Sequence, residues 1–166
     1  MEVLAIVGGI AAITVLLQQT NEVVQLLIAH RSDSVELRNA LTNLSYHLPL
    51  LEEILVLLNS AGENEQQNHS VLIKEPIKEC YRCIEELKTI LDKVKSRIRD
   101  GQIVFPRWPA DYKKKKITEI VTLTNTIEKH VQTLVIYRGM VYMSRTDLYT
   151  VIIPSTFSCS LSLTFD

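Results

Sequence analysis

Leucine recurs at Leu37, Leu41, Leu44, Leu48, Leu51, Leu55 and Leu58, at alternating spacings of four and three. On a helix this spacing lines up one apolar stripe, a heptad seam that needs another helix to cover it. Leu50, Ile54 and Leu57 add a second stripe, so two neighbouring helices are expected. Ser32, Asp33 and Ser34 offer N-cap oxygens ahead of the seam, Glu36 suits the positive helix end, and Ala61-Gly62 closes the helix. Pro49 removes one backbone donor inside the pattern, yet the seam continues in register. A kink is therefore expected there, not a stop.

The same argument carries the rest of the chain. Residues 63–70 are polar and read as a loop, followed by a third helix with Pro76 in its first turn. Its seam is Ile73, Ile77, Cys80, Ile84, Leu87, Leu91, Val94 and Ile98, its opposite face is charged, and Asp100-Gly101 ends it. Phe105-Pro106-Arg107-Trp108-Pro109 excludes regular helix. A fourth helix spans about residues 112–145. Its apolar face is Ile117, Ile120, Val121, Ile127, Val131, Leu134, Val135 and Val141, interrupted by Thr124 and Arg138. Only five Gly and five Pro in 166 residues favour long helices over a turn-rich β fold. The expected fold is all-α: an antiparallel bundle of four or more long helices over residues 1–146. Leu44, Leu51, Leu55, Ile84, Leu87, Leu91, Val131 and Leu134 are its expected core. Residues 147–166 are β-branched, aromatic and Ser-rich without helical period, and read as a non-helical tail: an edge strand, a disordered segment or the end of a truncated reading frame.

Residues 3–21 contain no charged side chain. As a helix they span about 28 Å, close to a hydrocarbon core of about 30 Å. A helix apolar all round belongs in a core or in a membrane. The core reading makes it the central helix of the bundle, shielded over residues 3–17. The membrane reading makes Val3, Leu4, Ile6, Val7, Gly8, Gly9, Ile10, Ile13, Leu16 and Leu17 the inserting residues. Glu2 is the only charged residue before Glu22, so the basic start of a secretory signal is missing. Three cysteines, too few and odd in number for a disulfide scaffold, indicate a reducing, cytoplasmic setting.

Chemistry-bearing motifs are sparse. Cys80-x-x-Cys83 lacks the βαβ context of a redox motif, and His30, His47, His69 and His130 lack zinc-ligand spacing. Cys80 falls on the third-helix seam, so core packing is expected, with no metal and a reduced pair. No phosphate loop, dinucleotide fingerprint or nucleophile elbow occurs. Glu52-Glu53 and Glu85-Glu86 are adjacent carboxylates on expected solvated faces. The reading is a non-enzyme with no cofactor and no small-molecule substrate.

The strongest local charge is Lys113-Lys114-Lys115-Lys116. Four lysines at a helix N-terminus oppose the helix dipole. They are candidates for contact with an anionic surface such as lipid phosphates, against a solvated turn balanced by Asp111 and Glu119. Net charge is −1, so nucleic acid is not an expected partner.

Leu4-Ala5-Ile6-Val7-Gly8-Gly9-Ile10-Ala11-Ala12-Ile13 resembles the start of fungal SesA-type domains, relatives of the HeLo and HeLo-like group. The resemblance continues at His47-Leu48-Pro49-Leu50-Leu51, at Ile77-Lys78-Glu79-Cys80 and in the basic run before the last helix, covering roughly residues 1–143. It implies a helical bundle of the kind that precedes NACHT or NB-ARC NTPase modules of STAND (NLR-like) proteins. Such bundles act in fungal non-self recognition and regulated cell death, and in HeLo-type relatives the N-terminal helix attacks membranes. No NTPase module follows, so the resemblance implies a stand-alone effector or a fragment. The tail departs from the family pattern.

Three functions follow as expectations. One is a latent membrane-permeabilising effector that stores its first helix in the bundle and releases it on homo-oligomerisation. A second is an interaction module that scaffolds or regulates a STAND receptor without touching lipid. A third is a protein anchored permanently by residues 3–17.

Overall fold

A computed structural model of the chain describes the backbone of residues 2–30, 32, 34–60, 63–96, 98–99, 102–103 and 109–156. Side chains are described in these segments except at 2–9, 59–60, 63–71, 99 and 141–156. Four helices form a bundle: α1 (Glu2–Ile28), α2 (Val35–Ser60), α3 (Glu63–Lys95) and α4 (Ala110–Thr156). A two-stranded antiparallel ribbon, β1 (Ile98–Arg99) and β2 (Gln102–Ile103), lies between α3 and α4.

α1 packs along α2 and α3, and α4 packs along the same two helices, so the four form a square. Residues 29–34 reach at most about 20 Å, half the roughly 40 Å length of a helix like α1. α2 therefore begins beside the end of α1 and returns antiparallel along it. α3 and α4 are antiparallel as well. Glu86 of α3 lies in the electrostatic neighbourhood of Lys116, and the earlier Glu79 in that of the later His130.

The core is the meeting of the seams. Leu44, Leu51, Leu55, Ile84, Leu87, Leu91, Val131 and Leu134 are all fully buried. Each contributes about 1.5–3 kcal/mol relative to exposure, enough in sum to make the bundle the only sensible packing of these stripes. Ile10, Ile13, Leu17, Val24 and Leu27 bring α1 into the same cluster. Thr124, a polar interruption of the α4 face, is buried with its hydroxyl donating to the Ile120 carbonyl at 2.8 Å. That bond removes the cost of an unpaired buried hydroxyl.

Local chemistry sets the helix ends. The Ser34 hydroxyl accepts from the Leu37 backbone N–H at 3.2 Å, the N-cap bond of α2. At the end of α1, His30 Nδ1 lies 2.6 Å from the Leu26 carbonyl oxygen, which places its proton on Nδ1 and covers one orphan carbonyl. α2 runs through Pro49, with Leu48 and Leu51 buried on either side of it.

Three boundaries differ from the sequence reading. α3 starts at Glu63, so residues 63–70 are helix and Pro76 is interior. That stretch has no apolar period, but its Glu and Gln residues are good helix formers and Glu63 and Glu65 suit the positive end. α3 ends at Lys95, ahead of Asp100-Gly101, and the ribbon pairs Ile98 with Ile103 and Arg99 with Gln102. Asp-Gly as a two-residue connection is a strong hairpin signal, and buried Ile103 closes that end of the core. Finally, α4 continues to Thr156, where the sequence reading begins a non-helical tail at residue 147. No Gly or Pro stands between Arg145 and Ile153, and β-branched residues cost a helix only tenths of a kcal/mol each, about 0.7 at most. Residues 157–166 of the expected tail lie outside the described residues.

Candidate functional site

α1 holds the inserting residues expected from the sequence. The backbone of Val3, Leu4, Ile6, Val7, Gly8 and Gly9 is helical, and their side chains lie outside the described residues. Ile10, Ile13 and Leu17 are buried in the core, and Leu16 packs against it partly buried. The opposite face is open: Ala11, Ala12, Gln18, Gln19 and Glu22 are exposed, and Val15 is 54% exposed. Over residues 10–17, the described part of the stretch 3–17 expected to be shielded, the expectation thus holds for one face only. The outer face lacks charge until Glu22, so its apolar character does not mark it as interior.

Polar groups on α1 are folded into its own backbone. The Thr14 hydroxyl donates to the Ile10 carbonyl at 2.9 Å and the Thr20 hydroxyl to the Leu16 carbonyl at 2.7 Å. Such back-bonding satisfies the hydroxyl without water, which suits a helix equally in protein or in lipid. Asn21 Oδ1 is buried without a partner among the described residues, a defect that costs about 1–3 kcal/mol. Among the described residues no helix is long and apolar enough to cross a membrane.

The four lysines do not form one patch. Successive helical residues are turned by about 100°, so four in a row point around the whole helix. Lys116 turns inward: its Nζ lies 2.5 Å from Glu119 Oε2 and 5.9 Å from the Tyr112 ring centroid. The Glu119 hydrogen bond raises its pKa. Lys113 is half-buried, while Lys114 and Lys115 are exposed. Lys93 and Lys95 occupy the last turn of α3 and are exposed. The chain from Lys93 to Lys116 carries nine Lys or Arg against Asp100 and Asp111, whereas the whole chain is −1. Of these, the described side chains of Lys93, Lys95 and Lys113 to Lys116 sit with Asp111 where α3 stops and α4 starts, and they make that end of the bundle basic. A local charge count along the sequence carries this signal, and attention to the contiguous lysines alone misses it.

This basic end and the start of α1 are at opposite ends of the bundle. α1 finishes beside the start of α2. Only residues 61–62 separate α2 from α3, so α3 starts at the far end and climbs along α1 to the basic end. The first turn of α1 is then about 40 Å away, one helix length.

Cys80 and Cys83 are free and buried. Burial pushes the Cys80 thiol up to about 12, and burial also raises Cys83. Glu79 accepts from Arg82, 2.6 Å from its Nη2, which lowers the Glu79 pKa. Among the described residues no group of three or more His, Cys, Asp or Glu could hold a metal. Glu53 is exposed and Glu52 half-buried, in keeping with the solvated face expected, and from there Glu52 reaches across to Gln18 of α1 at 2.7 Å and Glu53 to Arg138 of α4 at 2.8 Å. Compared with known protein families, curated proteins and solved structures, the chain has no match in any of the three.

Proposed function

We propose that the chain is a non-enzymatic effector bundle of the fungal NLR-like kind, acting from the cytoplasmic side, whose first helix is the element that meets the target membrane. The observation that carries the reading is the two-sided apolar character of α1. Its inner face supplies Ile10, Ile13 and Leu17 to the core, and its outer face presents Ala11, Ala12 and Val15. An outer face without charge before Glu22 is unnecessary for a helix that only completes a bundle, and it lets that part of the helix exchange protein for lipid. The resemblance of residues 4–13 to SesA-type and HeLo-like domains points the same way. Homo-oligomerisation or a STAND receptor would supply the trigger by covering the core that α1 leaves behind.

A second reading rests on the depth of Ile13 and Leu17, at 5% and 1% exposure. Helices that deep are expensive to remove, and the outer face of α1 would then be a helix-packing surface of an interaction module. A tether separates the two readings. Cysteines introduced as Gln18→Cys and Glu52→Cys, joined by a short bis-maleimide in a Cys159→Ser background, hold α1 on α2. Dye release from anionic liposomes that is abolished by the tether supports release of α1. Release that is unchanged by the tether contradicts it.

A further inference from the structure

We propose that the basic end of the bundle, presenting Lys93 and Lys95 from α3 and Lys114 and Lys115 from α4, is a docking surface for the headgroups of an anionic lipid membrane. All four side chains are exposed on two adjoining helix ends. The segment that contains them is strongly basic inside a chain of net charge −1, so the charge is segregated and not a property of the whole protein. Lysine ammonium groups are point charges without the planar fork that arginine offers to a single carboxylate or phosphate. An array of them gains most from a diffuse negative surface, at roughly 1 kcal/mol per residue. Tyr112, 41% exposed in the first turn of α4, adds an amphipathic ring of the kind that sits at headgroup depth. Docked end-on, the bundle holds the start of α1 about 40 Å from the lipid. Docking and the action of α1 are therefore separate events, and this inference stands whether or not α1 inserts.

The test is co-sedimentation with phosphatidylcholine vesicles made with and without phosphatidylserine. Wild type should bind only the phosphatidylserine vesicles, and progressively less as salt rises. Lys114→Glu with Lys115→Glu should weaken partitioning by about 100-fold or more. Lys78→Glu with Lys129→Glu makes the same change in net charge on exposed positions away from that end, and should alter binding by less than about twofold. Lys114→Gln with Lys115→Gln, which removes charge without adding repulsion, should lose about 30-fold, and circular dichroism checks that each variant is folded. Equal losses in the two charge-reversed proteins would overturn the proposal, because net charge alone would then govern binding. So would double-stranded DNA that competes with the vesicles for wild type and is itself bound more tightly, which would assign the end to nucleic acid.

Discussion

Arg138 Nη1 lies 2.8 Å from Glu53 Oε1, tying α4 to α2, while the neighbouring Glu52 accepts from Gln18 of α1 at 2.7 Å. Two consecutive carboxylates thus reach two different helices across the bundle. The Arg138–Glu53 pair is nonetheless open to water, with Glu53 61% exposed. Exposed pairs contribute at most about 1 kcal/mol. A double-mutant cycle of Glu53→Gln and Arg138→Gln, read by urea unfolding, should give a coupling below about 1 kcal/mol that shrinks with salt. A coupling of several kcal/mol would show that this contact, and not the seams, organises the bundle.

The seams predict a steeper response. Leu51 is fully buried at the middle of the α2 stripe, so Leu51→Ala should cost about 2–5 kcal/mol. The denaturation midpoint should fall while the slope stays unchanged. A cost within about 0.5 kcal/mol, the range of surface substitutions, would mean that Leu51 is not in the core.

Alkali gives an independent check on the α3 seam. The Cys80 thiol has its pKa raised from 9.0 to about 12 by burial, with Cys83 and Glu79 adding to the effect. The unfolded chain releases this proton from about pH 9, while the folded chain keeps it. The raised folded pKa means that the stabilising contribution is complete below pH 9 and is lost as pH rises toward 12. The slope is about 1.4 kcal/mol per pH unit at most. Unfolding midpoints measured from about pH 8 to about pH 10, one unit to either side of the onset, should fall more steeply for wild type than for Cys80→Ala. Parallel curves would place Cys80 in water. Iodoacetamide at neutral pH should modify Cys80 and Cys83 only when the chain is unfolded.

The two central helices were legible because their punctuation is local. Ser34 caps α2, heptads run from Leu37 to Leu55 and from Ile73 to Val94, and each stripe is buried where the period places it. The start of α3 was hidden because residues 63–70 form helix by propensity, with no apolar face to announce it. The two faces of α1 were hidden for the opposite reason. Ala11, Ala12 and Val15 face outward, yet differ little in polarity from Ile10 and Ile13, which face inward. The basic end needed topology: Lys93 and Lys114 are twenty-one positions apart in the chain and share one end only because the ribbon turns α4 back along α3.

Ile13 and Val15 separate stability from action on α1. Ile13 is 5% exposed, so Ile13→Asp buries an unpaired carboxylate and should destabilise the bundle by more than about 3 kcal/mol. Val15→Asp points a carboxylate into water and should move the unfolding midpoint by less than about 0.5 kcal/mol equivalent.

The most direct test of α1 as the acting element is dye release from anionic liposomes by folded Val15→Asp protein. An aspartate within an inserted helix costs about 2.5–3.5 kcal/mol near the bilayer centre. Wild type should release dye, and Val15→Asp, with an unchanged thermal midpoint, should need on the order of 100-fold more protein for the same release. Release by Val15→Asp at the wild-type concentration, or none by wild type at any concentration, would contradict the account.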